Sequence, residues 1–129
     1  MKRKIVSAGA PSAAGPYSQG IEINGIVFVS GQLPTNAGTG QVPDGIAAQT
    51  RQTFENIKMI VEEAGGTMED IVKCSVFLRD LDDFAEMNQI YGTFFREPYP
   101  ARVTVEAAGF LGNVKIEIDA VAVLKKDKG

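Results

Sequence analysis

Residues 114–123, VKIEIDAVAV, alternate so regularly that they read as a β-strand. One face carries Val114, Ile116, Ile118, Ala120 and Ala122, an ordinary core face. The other carries Lys115, Glu117 and Asp119, then turns apolar at Val121 and Val123. Bulk water gives no reason for two valines, and a dry core disfavours two carboxylates. The strand therefore belongs to a sheet covered on one side by its own core and on the other, in part, by something else.

The rest of the chain supplies the elements around it. Lys4–Ser7 predicts a short strand, and Ala8–Pro16, rich in Ala, Gly, Pro and Ser, a loop. Tyr17–Ile23 and Ile26–Ser30 flank Asn24-Gly25, a hairpin signal. Gly31–Gly45, with Pro34 and Pro43, is a long irregular connection. Ala47, Phe54, Ile57, Val61 and Ala64 recur at helical spacing and predict a helix over Ala47–Ala64, stopped by Gly65-Gly66. Ile71–Arg79 is a strand in which Cys74 reads as a small core residue. A second helix covers Asp83–Arg96, with Phe84, Met87, Tyr91, Phe94 and Phe95 as its buried stripe and prolines beyond its end. Ala101–Ala108 and 114–124 are strands joined by a turn over Gly109–Asn113. The order β-β-β-α-β-α-β-β predicts an α+β fold, a mixed six-stranded sheet with two helices on one face, in a single domain over 1–129.

Composition narrows the function. The chain has no histidine and one cysteine, so it holds neither a Ser–His nor a Cys–His nucleophile pair, nor a histidine-based zinc site. Proton transfer falls to carboxylates, lysine, tyrosine, hydroxyls or water. A net charge of −3 gives no general attraction to nucleic acid or anionic membrane. Lys2-Arg3-Lys4 and Lys125-Lys126-Asp127-Lys128 read as solvated ends. No apolar run approaches the roughly 18 residues of a membrane span. Gly9, Pro11 and Gly15 interrupt the apolar stretch that a signal peptide needs. With one cysteine and no internal disulfide, the expected compartment is the cytoplasm.

The strand ARVTVEAA also alternates, with Val103, Val105 and Ala107 on one face and Arg102, Thr104 and Glu106 on the other. If it forms a hairpin with the last strand and apolar faces match, Thr104 lies opposite Glu117 and Arg102 opposite Asp119, with Arg102 and Glu117 diagonal neighbours. The expectation is an arginine, a hydroxyl and a carboxylate together on the face away from the helices, where a partner copy covers them. Ser30-Gly31 closes an apolar strand, and the glycine lets a ligand approach the backbone. Asn88 sits one turn beyond Phe84 on the buried stripe, and Tyr17 follows Gly15-Pro16.

APSAAGPYSQG (10–20), VSGQLP (29–34), QTRQTFENIKMIVEEAG (49–65), DIVKCSVFLRDLDDFAEMNQIYGTFF (70–95), PAR (100–102) and VKIEIDAVAV together resemble the RidA family, also called YjgF, the reactive intermediate or imine deaminases. The resemblance covers nearly the whole chain. It implies a chorismate-mutase-like homotrimer, a barrel of sheets with the helices outside and three clefts between subunits. It implies that Arg102 binds the substrate carboxylate and Glu117 positions water. Tyr17, Ser30, Gly31, Asn88 and Thr104 then line the substrate. The implied reaction is hydrolysis of 2-imino acids, tautomers of enamines such as 2-aminoacrylate, to 2-oxo acids and ammonia, with no metal or cofactor. Thr104 stands where many relatives carry cysteine, Phe110-Leu111 replaces a Leu-Pro, and the loop around Glu97-Pro98-Tyr99 is short. These departures bear on side-chain preference more than on the core reaction.

The residues suit that chemistry. A guanidinium grips a carboxylate with two parallel hydrogen bonds, a geometry lysine cannot copy. A carboxylate beside it can take a proton from attacking water and return it to the leaving nitrogen. The competing functions are a regulatory trimer that binds small carboxylates without turnover, and an endoribonuclease or translation inhibitor. The acidic balance and missing histidines disfavour the latter.

Overall fold

The structure, a computed structural model, describes residues 1–126. Asp127 and Lys128 of the basic C-terminal cluster lie outside the described residues. The elements are β1 (Arg3–Ile5), β2 (Gly20–Ile23), β3 (Ile26–Gln32), α1 (Ile46–Glu63), β4 (Ile71–Leu78), α2 (Phe84–Phe94), β5 (Ala101–Glu106) and β6 (Ile116–Val123). The strands form one six-stranded sheet in the order β1-β2-β3-β6-β4-β5. It is mixed, because β4 and β5 run parallel while the other neighbours are antiparallel. The element order and the α+β class are those the sequence predicts. Among the described residues no helix is long and apolar enough to cross a membrane.

Local chemistry explains the boundaries. Asn24 (φ 54°) and Gly25 (φ 81°) both take the left-handed conformation that a two-residue hairpin turn requires, and they join β2 to β3. β2 begins at Gly20, so Tyr17 belongs to the preceding loop and not to the strand expected from residue 17. That loop is tied down by Gln19, which is buried. Its side chain accepts from Ser7 N at 2.6 Å and donates to the carbonyls of Ser7, Ala10 and Pro11.

Both helices cover one face of the sheet. Val27, Val29, Cys74, Val76, Leu78, Ile116, Ile118, Ala120 and Ala122 face them, all buried. Phe54 of α1 is fully buried at the centre, with its ring 5.4 Å from Tyr91, 4.9 Å from Phe94 and 5.4 Å from Phe95. The buried side of α1 is also unexpectedly polar. Thr50 and Thr53 return their hydroxyls to carbonyls one turn back, and Asn56 donates to the carbonyls of Leu33 and Thr35. Gln49 accepts from Lys115 N and donates to Pro43 O. The Asn56 bonds and the Gln49 bond to Pro43 O satisfy carbonyls of the long 33–45 connection, which lacks strand partners.

The expected hairpin between the last two strands does not form. β6 inserts between β3 and β4, and β5 pairs only with β4, at the sheet edge. The register sets Arg102 beside Cys74, Thr104 beside Val76 and Glu106 beside Leu78. Paired residues share a face, so these three side chains lie on the helix side. Glu117 pairs with Phe77 and Asp119 with Ser75, on the opposite side. The predicted diagonal contact between Arg102 and Glu117 is therefore absent within one chain. Edge position suits β5, whose two faces are both partly solvated: Arg102 and Glu106 are exposed on one, and Val103 and Val105 are 43% and 40% exposed on the other.

Candidate active site

The candidate residues gather into two groups on opposite faces of the sheet. The first is built around Arg102. It projects from the edge strand to the helix side, where α2 lies over it. Its Nη1 donates to Asn88 Oδ1 at 2.7 Å. Its Cζ stands 4.6 Å from the centroid of the Tyr91 ring and 5.4 Å from that of Phe84. Stacking and the amide acceptor hold the guanidinium in one plane, and a cation over aromatic faces is attracted by their quadrupoles. Among the described residues Asn88 is the only hydrogen-bond acceptor Arg102 has, so its remaining N–H donors are available to an anion. A cleft of about 440 Å³ opens beside it, lined by Asn88, Tyr91, Gly92, Tyr99, Pro100 and Arg102.

Asn88 is exposed, not buried on the core stripe, and its partner is a guanidinium rather than a backbone group. The Tyr91 hydroxyl is buried with no regular hydrogen bond, and desolvation together with the neighbouring Cys74 pushes its pKa up. Burial likewise raises the Cys74 thiol to about 11, so Cys74 is a core side chain and not a nucleophile. Thr104 lies two residues beyond Arg102 on the same face. Its hydroxyl is buried and has no partner among the described residues.

The second group is built around Glu117, in the middle of the other face. β3 bulges between Val29 and Gln32 against β6, and this carries the Gly31 backbone over the glutamate. A Cβ on Gly31 would collide with Glu117 Oε2 and lie 3.1 Å from Cδ. The carboxylate thus occupies space that any other residue at position 31 would fill. Burial, and secondarily the charge of Asp119, raises the pKa of Glu117 above the ordinary carboxylate value. Ser30 is adjacent, but its hydroxyl donates to Ser18 O at 2.6 Å, so it offers an incoming group lone pairs and no proton. That bond and Ser30 N to Gln19 O fasten the 10–19 loop to β3. Tyr17 stands on this loop, 54% exposed, its hydroxyl 3.4 Å from Ala14 N.

Tyr17, Ser30, Gly31 and Glu117 therefore form one set, and Asn88, Arg102 and Thr104 another. Sequence periodicity did not single out Tyr91, Phe84, Gly92 or Tyr99 as site residues. The Asn88–Tyr91–Gly92 spacing of three and four residues, which puts them on one helical face, is the signal that could have done so.

Residues 7–124 match the model of the family described as Endoribonuclease L-PSP. The chain belongs to this family, that of the YjgF and RidA proteins. Among its members, the 2-iminobutanoate/2-iminopropanoate deaminase of Escherichia coli K12 is 48% identical over 126 residues, covering 95% of this chain and 98% of the relative. The crystal structure of the E. coli YjgF gene product superposes with a TM-score of 0.91 at 48% identity, over 95% of this chain and 99% of that one. E. coli TdcF, solved with bound serine, superposes with a TM-score of 0.91 at 43% identity, again over 95% and 99%. The α+β sheet with two helices on one face is thus the family's fold.

Proposed function

We propose that the chain is an imine deaminase acting on 2-imino acids of the 2-aminoacrylate type, and that it works as a homotrimer with its sites between subunits. The observation that carries this reading is the Arg102 guanidinium, clamped by Asn88 and Tyr91 with free donors facing an open cleft. The 48% identical relative named as a deaminase supports the same chemistry, and serine bound to TdcF supports a ligand of amino-acid size.

The second face of the sheet favours assembly. Phe28, Val103, Val105 and Val123 lie there 47%, 43%, 40% and 46% exposed, alongside Glu117 and Asp119. An apolar surface of this kind, mixed with carboxylates, suits burial against neighbouring copies around a closed ring. Assembly also solves the separation of the two residue sets. The Arg102 edge of one subunit meets the Glu117 face of the next, and each cleft draws one set from each chain.

In that cleft Arg102 binds the carboxylate of the imino acid bidentately and fixes its C=N carbon. Ionised Glu117 holds a water on one face of that carbon. As the water oxygen bonds to carbon, Glu117 takes one of its protons and passes it to the imine nitrogen, which receives the C=N electron pair, giving a neutral carbinolamine. In the collapse Glu117 takes the hydroxyl proton as the oxygen becomes the 2-oxo group and delivers it to the departing nitrogen, so the C–N bond breaks and ammonia leaves. None of these steps calls on a metal or cofactor, and one positioned general base supplies roughly 10²–10⁴-fold. The buried lone thiol suits a reducing compartment such as the cytoplasm.

The decisive experiment generates 2-aminoacrylate or 2-iminopropanoate in the assay and follows its hydrolysis with wild type and Arg102→Ala, alongside light scattering for subunit number. Acceleration by a wild-type trimer, lost in the variant, supports the reading. Equal rates with and without Arg102 overturn the mechanism, and tight 2-oxo acid binding without acceleration points to the regulatory alternative.

A further inference from the structure

The cleft beside Arg102 is larger than the smallest imino acids need, and the way it is kept open is unusual. Its volume of about 440 Å³ falls within the roughly 300–1,000 Å³ of ordinary small-ligand sites. The anion anchor, Arg102 with Asn88, forms part of its lining. Gly92, Tyr99 and Pro100 supply apolar walls beyond it. In one chain this is the space beside the held carboxylate that a neighbouring copy's Glu117 face and the substituent on the imine carbon have to share.

Gly92 lies inside α2, one residue past Tyr91 and one turn past Asn88. A glycine within a helix is disfavoured, because it surrenders the most backbone freedom. Packing does not demand one here: a Cβ at Gly92 meets nothing within 4 Å. Backbone geometry does not demand one either, since Gly92 is absent from the positive-φ glycines. Gly31 is the contrasting case, where the Glu117 carboxylate leaves no room for a Cβ. At Gly92 the missing side chain leaves that space open. Tyr99 also lines it, its ring 58% exposed in the single chain. Among the described residues Arg102 is the only charged one in the lining.

We propose that Gly92 and Tyr99 are the specificity-determining residues of the cleft, and that it takes 2-imino acids with large apolar side chains, branched aliphatic or aromatic. The substituent passes over Gly92 and lies against the Tyr99 ring. This inference rests on the deaminase reading above and deepens it.

The experiment compares kcat/KM for the imino acids derived from phenylalanine, leucine and alanine, each made in the assay by an amino acid oxidase. Wild type is expected to handle the two large substrates at least as well as 2-iminopropanoate. In Gly92→Leu, which fills the space with a strong helix former, the large-to-small ratio falls at least about tenfold, the scale on which a pocket reads a few methylenes. In Tyr99→Ala the same ratio falls through a higher KM for the large substrates. A wild type that turns over 2-iminopropanoate but is tenfold poorer on both large imines overturns the proposal, as do ratios unchanged within twofold in both variants. Failure of the deaminase reading looks different, because wild type then accelerates none of the three.

Discussion

Arg102 and Glu117 stand on opposite faces of one sheet, with β4 between their strands. Arg102 shares a face with Cys74 and lies under α2, whereas Glu117 shares a face with Phe77 and lies against Gly31. One guanidinium and one carboxylate so placed cannot act on the same small molecule within a chain. Either only one of them is catalytic, or the site is shared between copies.

A complementation experiment separates these cases. Arg102→Ala and Glu117→Gln are each expected to be inactive as pure proteins. After mixing equal amounts and allowing subunits to exchange, shared sites regain about a quarter of wild-type activity, the statistical yield for a ring of three in which each site takes one residue from each neighbour. Sites confined to one chain regain nothing. The measurement is imine turnover before and after exchange.

Gly31→Ala tests the seat of the glutamate. The new methyl collides with Glu117 Oε2, and the carboxylate has to move. Gly31 has an ordinary backbone conformation among the described residues, so the folding cost stays small. A displacement near 1 Å at the water-holding group costs about 10²-fold in kcat. The expected pattern is a large fall in kcat beside a nearly unchanged unfolding midpoint.

Asp119 gives a prediction for pH. Burial first, and then the Asp119 charge, raises the pKa of Glu117. A base must be ionised to act, so the acid limb of kcat/KM follows the Glu117 carboxyl. Asp119→Asn removes the like charge, favours ionised Glu117 and moves that limb to lower pH. Stability follows the same sign. The fold binds this proton more tightly than the unfolded chain does, so stability falls as pH rises from the ordinary value through the raised one. Glu117→Gln is therefore expected to stabilise the chain above that window and to flatten the pH dependence within it, as followed by thermal unfolding across pH.

Element order, the two helical stripes and the Asn24-Gly25 turn were legible because each rests on short-range chemistry: period, capping and left-handed φ. The pairing of the last strands was not. ARVTVEAA offers valines on one face and Arg, Thr and Glu on the other, and a hairpin that matches valines to isoleucines satisfies every local rule. What decides the register is long-range. β6, with its continuous Ile-Ile-Ala-Ala face, belongs at the centre between β3 and β4, and β5 is left at the edge with both faces half wet. Sequence periodicity carries no information on which strand a loop crosses. The resemblance put the site residues forward as one group, and their separation into two sets on opposite faces appeared only with the topology.

Core and site meet in one cluster of rings, which gives the last prediction. Phe54 packs on Tyr91, Phe94 and Phe95, and Tyr91 in turn backs the Arg102 guanidinium. Phe54→Leu keeps the position apolar but leaves a gap under Tyr91, at a cost of about 1–3 kcal/mol in stability. Because the ring that supports Arg102 gains freedom, carboxylate binding weakens at temperatures where the chain is still folded. The expected outcome is a lower thermal midpoint at fixed chain concentration, together with a higher KM for imino acids and a kcat that changes less. A lower midpoint with KM unmoved would show that Asn88 and Phe84 hold Arg102 without help from Tyr91.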